Sequence, residues 1–243
     1  VYDTTLLVNC VLTVAGNIAN DGTLRINSGN LISTGTTEIS GSGTTEIRGA
    51  LGASSAPGGS FVIGAEQTLD VTGAVYADVT NFGTIRTKGN WVGQSADNPL
   101  KLVNSGTIDN YSVASRFINV SIENTESAVF SSSSICNIEE GSSISGGTLA
   151  GSITFQTGDG EASISNLRIA NDADIYIGSV SSVKASGTLV IDSAITHWGT
   201  LYANGAVSLE GSGSLVVYGS LGKKDWSDSG LFVIGSGFSV TGT

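Results

Sequence analysis

A stretch near the start of the chain recurs near its end, and this limits the fold more than any other feature. Residues 29–52 (GNLISTGTTEISGSGTTEIRGALG) align without gaps on residues 199–222 (GTLYANGAVSLEGSGSLVVYGSLG). Glycines coincide at Gly29/Gly199, Gly35/Gly205, Gly41/Gly211, Gly43/Gly213, Gly49/Gly219 and Gly52/Gly222. Random pairing at this glycine frequency gives roughly half of one coincidence, so the match is an internal repeat. After a segment of different sequence, Phe61-Val62-Ile63-Gly64 and Val71-Thr72-Gly73 return as Phe232-Val233-Ile234-Gly235 and Val240-Thr241-Gly242. In all, residues 22–73 resemble residues 187–242. Short strands repeated at regular spacing predict a solenoid, which grows without domain boundaries.

The recurring unit is a glycine, then Thr or Ser, then three to five residues alternating apolar and polar. Gly22-Thr23-Leu24-Arg25-Ile26, Gly83-Thr84-Ile85-Arg86, Gly106-Thr107-Ile108-Asp109 and Gly187-Thr188-Leu189-Val190-Ile191 show it. Period-two alternation sends Leu24 and Ile26 inward and Arg25 into water. The corner glycine is expected to supply a positive φ. No window carries a helical period. Strands this short, aliphatic rather than aromatic inside, favour a coil over a sandwich or barrel. The predicted fold is all-β, a single right-handed parallel β-helix over residues 1–243, with about ten rungs of roughly 20–25 residues.

Asparagine stands two residues before the corner glycine in Asn20-Asp21-Gly22, Asn81-Phe82-Gly83 and Asn104-Ser105-Gly106. Its amide can hydrogen-bond the same residue one rung away. The pattern Asn-x-Gly-Thr-Ile/Leu resembles the repeats of bacterial β-helical adhesins, of the filamentous-haemagglutinin type and of autotransporter passengers. It is also similar to phage tailspike shafts. The resemblance implies an extracellular or cell-surface adhesive element, with a virion-borne, polysaccharide-degrading spike as the alternative. A filament subunit that stacks through its ends, or a trimer, is a third possibility. The secretion-signal domain of two-partner adhesins and a C-terminal membrane barrel are not seen in these residues.

Composition removes several partners. The net charge is −11 with ten Lys and Arg, and no basic stripe exists, so nucleic acid and anionic membrane are not expected to bind. No apolar run reaches the length of a membrane helix, and no signal peptide is visible. The chain opens at Val1 and lacks Met, as a processed protein or a piece of a longer one would. The most hydrophobic segments, 5–14 and 231–240, lie near the two ends without an obvious polar cap. Leu6, Val8, Cys10, Leu12 and Val14 fall on one face, as do Cys136 and Ile138, which predicts two buried free thiols. A disulfide would need the two cysteines in adjacent coils.

Three departures from regularity mark loops: residues 53–60, 94–99 and 223–230. The first and third are equivalent in the repeat but share no chemistry, and such loops are where a scaffold places function. Ser131–Ser134 forms a further polar run. If Leu201 and Ala203 face in, Tyr202 faces out, and the same logic exposes Tyr176 and Tyr218. With Trp198, Trp226 and Asp225 they form a candidate surface for cell-surface glycan or polysaccharide, whose apolar ring faces stack on aromatics. The plainer alternative is that these rings pack under loops or stand singly.

No catalytic residue, cofactor or metal site is predicted. Asp172 and Asp174 share a strand face, yet a calcium site collects more oxygen ligands than they offer. The further acidic clusters Glu139-Glu140 and Asp159-Gly160-Glu161 give no separation from which a glycoside-cleaving pair can be read. His197, the one histidine, is expected on the surface or in a loop. Asn110-Tyr111-Ser112 and Asn119-Val120-Ser121 match the glycosylation triplet, which a Ser-rich chain produces by chance.

Overall fold

A computed structural model describes residues 5–55, 58–111, 115–222 and 230–242. Every strand pairing is parallel, and each strand pairs with those one coil before and one coil after it. The strands stack into three faces. Face A starts with Thr5–Val8, Thr23–Ile26 and Thr44–Ile47. Face B starts with Leu12–Val14, Asn30–Ser33 and Ala50–Leu51, and face C with Ile18–Ala19, Thr36–Ser40 and Ser60–Ile63. The chain is therefore a β-solenoid, wound in the order A, B, C.

Coil length varies. The register steps from Thr5 to Thr23, from Thr68 to Thr84 and from Val207 to Phe232, which are 18, 16 and 25 residues. Inward side chains fill the prism with one continuous core. Leu24, Ile26, Ile85 and Ile108 are buried on face A, as the alternation requires. Outward positions carry ion pairs between neighbouring coils: Arg25 holds Glu46 at 2.6 Å, and Arg116 holds Glu139 at 2.5 Å. The Arg25 guanidinium holds the Glu46 carboxyl below its ordinary range, partly offset by burial.

The motif residues stack. Thr5, Thr23, Thr44, Thr68, Thr84 and Thr107 occupy the same register position on six successive coils of face A. At the corner before them, Asn81 Nδ2 donates to Asn104 Oδ1 and Asn104 Nδ2 donates to Asn124 Oδ1, each at 2.8 Å. This is the expected amide ladder inside a buried corner. The corner glycines divide: Gly187 takes the expected positive φ, at 68°. Gly83, Gly106 and Gly199 do not adopt positive φ. A Cβ on Gly106 would collide with the Gly83 carbonyl oxygen, so glycine is required by the close approach of coils.

Four further expectations are corrected. The interior is not purely aliphatic: Trp91 stacks on Phe117 with centroids 5.8 Å apart, and Phe117 meets Phe130 edge-on at 5.5 Å. Strands are not uniformly short either. Val129–Ile138, Thr148–Phe155, Glu161–Ile169, Ser182–Ile191 and Thr200–Glu210 bend from one face to the next, with register shifts at three of the bends. Ser131–Ser134 belongs to the first of these rather than to a loop. Finally, Cys10 is exposed although Cys136 is buried, and both are free. The alternation breaks between Thr5–Val8 and Leu12–Val14, turning Cys10 into a corner residue, and Leu6 is 62% exposed because no described coil lies beneath it.

The two repeat copies are out of phase by one face. Asn30–Ser33 lies on face B, whereas its counterpart 200–203 lies on face C. Thr44–Ile47 lies on face A and its counterpart Ser214–Val217 on face B. Consequently the segment 53–60 spans the B–C edge, while 223–230 connects Ser220–Gly222 on face C to Leu231–Ile234 on face A. The anchors of the third loop thus lie on different faces from those of the first, and residues 223–229 themselves lie outside the described residues.

Candidate functional site: the B–C edge

Corners between faces B and C carry loops of unequal length on successive coils. Residues 53–55 and 58–59 lie one coil before the short corner Tyr76-Ala77-Asp78, and residues 93–99 lie one coil after it. Between them lies a groove of about 560 Å³. Tyr76, Asp78, Gln94, Asn98 and Lys101 are among the residues that line it. Asn98 Nδ2 donates to Gln94 Oε1 at 2.5 Å, and Asp78 Oδ1 accepts the Lys101 backbone N–H at 2.8 Å. A groove of this size, part aromatic and part amide, suits a small polar organic ligand.

The 94–99 loop separates this groove from a second one. Ala96 lines the second, about 340 Å³, together with Asn119, Glu140, Ser142, Glu161 and Lys184. Lys184 Nζ lies 3.2 Å from the Glu161 carboxylate. Glu140 and Glu161 come from neighbouring coils and line the same cleft.

Farther along the same edge, Trp198 and Tyr218 follow the last residues of Ala194–His197 and Ser214–Val217. Their rings stack, with centroids 4.2 Å apart and planes 11° apart, and they are 48% and 43% exposed. The stacking repeats the coil spacing, so the pair forms a ridge whose shared inner faces are covered. Gly178 occupies the equivalent corner below Trp198, and an added Cβ there would meet the Tyr176 ring at 3.9 Å. Tyr176 thus reaches toward the foot of the ridge from face B. The structure stacks two of the aromatics singled out in the sequence, with Tyr176 one coil below Trp198 on face B.

Tyr202 is corrected. Its side chain leaves face C outward, but the residue is buried because its hydroxyl donates to the Glu161 carboxylate two coils away. Glu161 also receives Lys184, so Tyr202 is part of a closed polar contact and not a free platform. Asp225 and Trp226 lie outside the described residues. Asp172 is exposed and Asp174 opens Asp174–Ile177 on the outside. Among the described residues, no group of three or more His, Cys, Asp or Glu is placed to hold a metal ion. Asn110 of the first glycosylation triplet is buried.

His197 is also corrected. It is fully buried, because the alternation that sends Ile195 inward sends His197 inward as well. Neither ring nitrogen has a hydrogen-bond partner in good geometry. Burial holds the imidazole below its ordinary range, and the Gly199 backbone opposes this to a smaller extent.

The groove residues Tyr76, Asp78, Gln94 and Asn98 were not singled out from the sequence. A usable signal existed: the loops at 53–60 and 94–99 are about two coils apart, which puts them on one edge. No family model matches the chain, and no curated protein or solved structure matches it either. No helix among the described residues is long and apolar enough to cross a membrane.

Proposed function

We propose that the chain is an extracellular structural and adhesive β-solenoid whose B–C edge attaches to glycan at several points. The observation that supports this reading is convergence: Tyr176, Trp198 and Tyr218 stand on the edge that also carries both grooves. Sugars present apolar ring faces to aromatics and hydroxyls to amides and carboxylates, and the edge offers both. Its charge narrows the ligand class. With Arg116 and Glu139 paired to each other, Asp78, Asp97, Glu140, Asp159 and Glu161 stand against Lys101 and Lys184 among the described residues of this edge. The field favours neutral or amine-bearing polysaccharide and repels uronate or sulfated chains.

The test is a pull-down on immobilised neutral, amine-bearing and sulfated polysaccharides with the parent chain and with Trp198→Ala/Tyr218→Ala. Retention on neutral or amine-bearing chains that falls at least fivefold in the variant supports the reading. Equal retention by the variant, or preference for the sulfated polymer, overturns it.

A second reading rests on Glu140 and Glu161 in one cleft, since glycoside cleavage uses a pair of carboxyl groups across the scissile bond. In that reading the chain is a virion-borne or secreted depolymerase. Reducing ends released by the parent chain and lost in Glu140→Gln would establish it, and their absence on every bound polymer would dismiss it.

A further inference from the structure

His197 plays no part in the reading above, and it is unusual in its setting. It sits in a core column between Ile177 one coil below and Val217 one coil above. The inward side chains of the same coils on face A are Leu189, Ile191, Val207 and Leu209, and on face C they are Val183, Ala185, Leu201 and Ala203. None of these titrates. Among the described buried residues there is no Asp, Glu, Lys or Arg. The charged side chains of these coils point outward: Asp192 pairs with Arg168, Lys184 pairs with Glu161, and Glu210 accepts from Ser208. At the corner itself, the Ser181 hydroxyl is committed to the Phe155 carbonyl and the Thr157 N–H. An imidazolium formed at this place would have no acid to meet and no water to reach.

The exit lies through the corner. His197 ends its strand, and the next residue, Trp198, is half exposed. The Trp198 N–H donates to the Ile177 carbonyl at 2.9 Å, and the His197 carbonyl accepts the Tyr218 N–H at 2.9 Å and the Gly219 N–H at 3.3 Å. Turning the ring into water breaks the bonds that hold Trp198 under Tyr218. In a solenoid such an opening stays local, because each coil contacts only its neighbours.

We propose that His197 is an acid-operated latch, whose protonation opens the B–C corner at Trp198 and takes the Trp198–Tyr218 stack apart. The sign follows from linkage. The open form takes up a proton near the ordinary histidine value of about 6.5, and the closed form only at lower pH. Closure is therefore fully favoured above that value and is lost as pH falls below it, by up to tenfold per pH unit for one proton. If the edge binds glycan as proposed above, binding at the ridge weakens in the same window, but the latch stands without that reading.

The chain contains one histidine, so the assignment is free of overlap. Amide hydrogen exchange over residues 196–219, corrected for intrinsic chemistry, is followed from pH 8 to pH 5, alongside NMR titration of the imidazole C–H. The expected result is exchange that is level above pH 6.5 and rises several-fold to tenfold per unit below it, while residues 84–110 stay protected. His197→Leu is expected to abolish the rise. Level exchange throughout, or an imidazole titrating at the ordinary value with no change in exchange, overturns the proposal. So does an unaltered rise in His197→Leu, and should that variant not fold, the parent titration alone decides. Polysaccharide pull-down at pH 7.5 and 5.5 then separates the two readings: opening without any binding at either pH sinks the glycan proposal and spares the latch.

Discussion

Replacing Asn104 by Leu tests whether the corner amides hold the coils together or merely occupy space. Asn104 is fully buried, accepts from Asn81 and from the Gly106 N–H at 3.2 Å, and donates to Asn124. Leucine keeps the volume and removes both amide–amide bonds, a net loss of about 1 kcal/mol each. It also leaves Asn124 Oδ1 and the Gly106 N–H without their partner, at about 1 kcal/mol apiece, the low end for groups that water partly reaches. Asn81 keeps the Gly83 and Thr107 carbonyls at 3.2 Å, so its amide nitrogen adds little to the loss. The expected destabilisation is about 3–4 kcal/mol, read by urea unfolding with variants of unchanged slope compared. Replacing Asn81, Asn104 and Asn124 together by Leu removes partners along with donors. Its cost should fall at least about 2 kcal/mol short of the three single costs added, because no amide is left facing an empty place. A single-variant cost below about 1 kcal/mol, or strict additivity of the triple variant, would refute the reasoning.

Gly106→Ala should destabilise by about 1–3 kcal/mol in the same assay, since its methyl meets the Gly83 carbonyl, whereas Gly35→Ala, with nothing within 4 Å, should be neutral or slightly stabilising. A thiol reagent at neutral pH should label Cys10 in the folded chain and reach Cys136 only on unfolding, because burial pushes the Cys136 thiol up and out of the ionising range. In alkaline absorbance titration one tyrosine, Tyr111, should ionise at about 12, held up by burial and by its 2.7 Å bond to Asp70, and Asp70→Asn should bring it down. Tyr202→Phe should leave the fold intact but expose Lys184 to faster acylation, as the Glu161 contact loosens.

The fold was legible because its rule is local. Gly22-Thr23-Leu24-Arg25-Ile26 states which residues go in, and Asn81 and Asn104 state how coils lock, without knowledge of what lies far away. His197 and Trp91 obeyed the same rule: Ile195 in means His197 in, and the alternation outweighed the polar character of the side chain. Tyr202 was different. What covers it is Glu161, 41 residues earlier, and coils of 16 to 25 residues make the neighbour two coils down impossible to count from spacing alone. The grooves were hidden for the same reason. Their walls come from separate coils, and only the stacking brings Tyr76 between Ser54 and Gln94.

The displaced repeat says what the building block of this molecule is. One strand with its corner, not one circuit of the prism, is the piece that can be copied, since a block moved round by a third of a circumference still stacks and still hides its aliphatic side chains. Adding or deleting such a piece would lengthen the rod slightly and swing everything beyond it through about 120°. A lineage could therefore re-aim its loops in space without redesigning a single contact between layers.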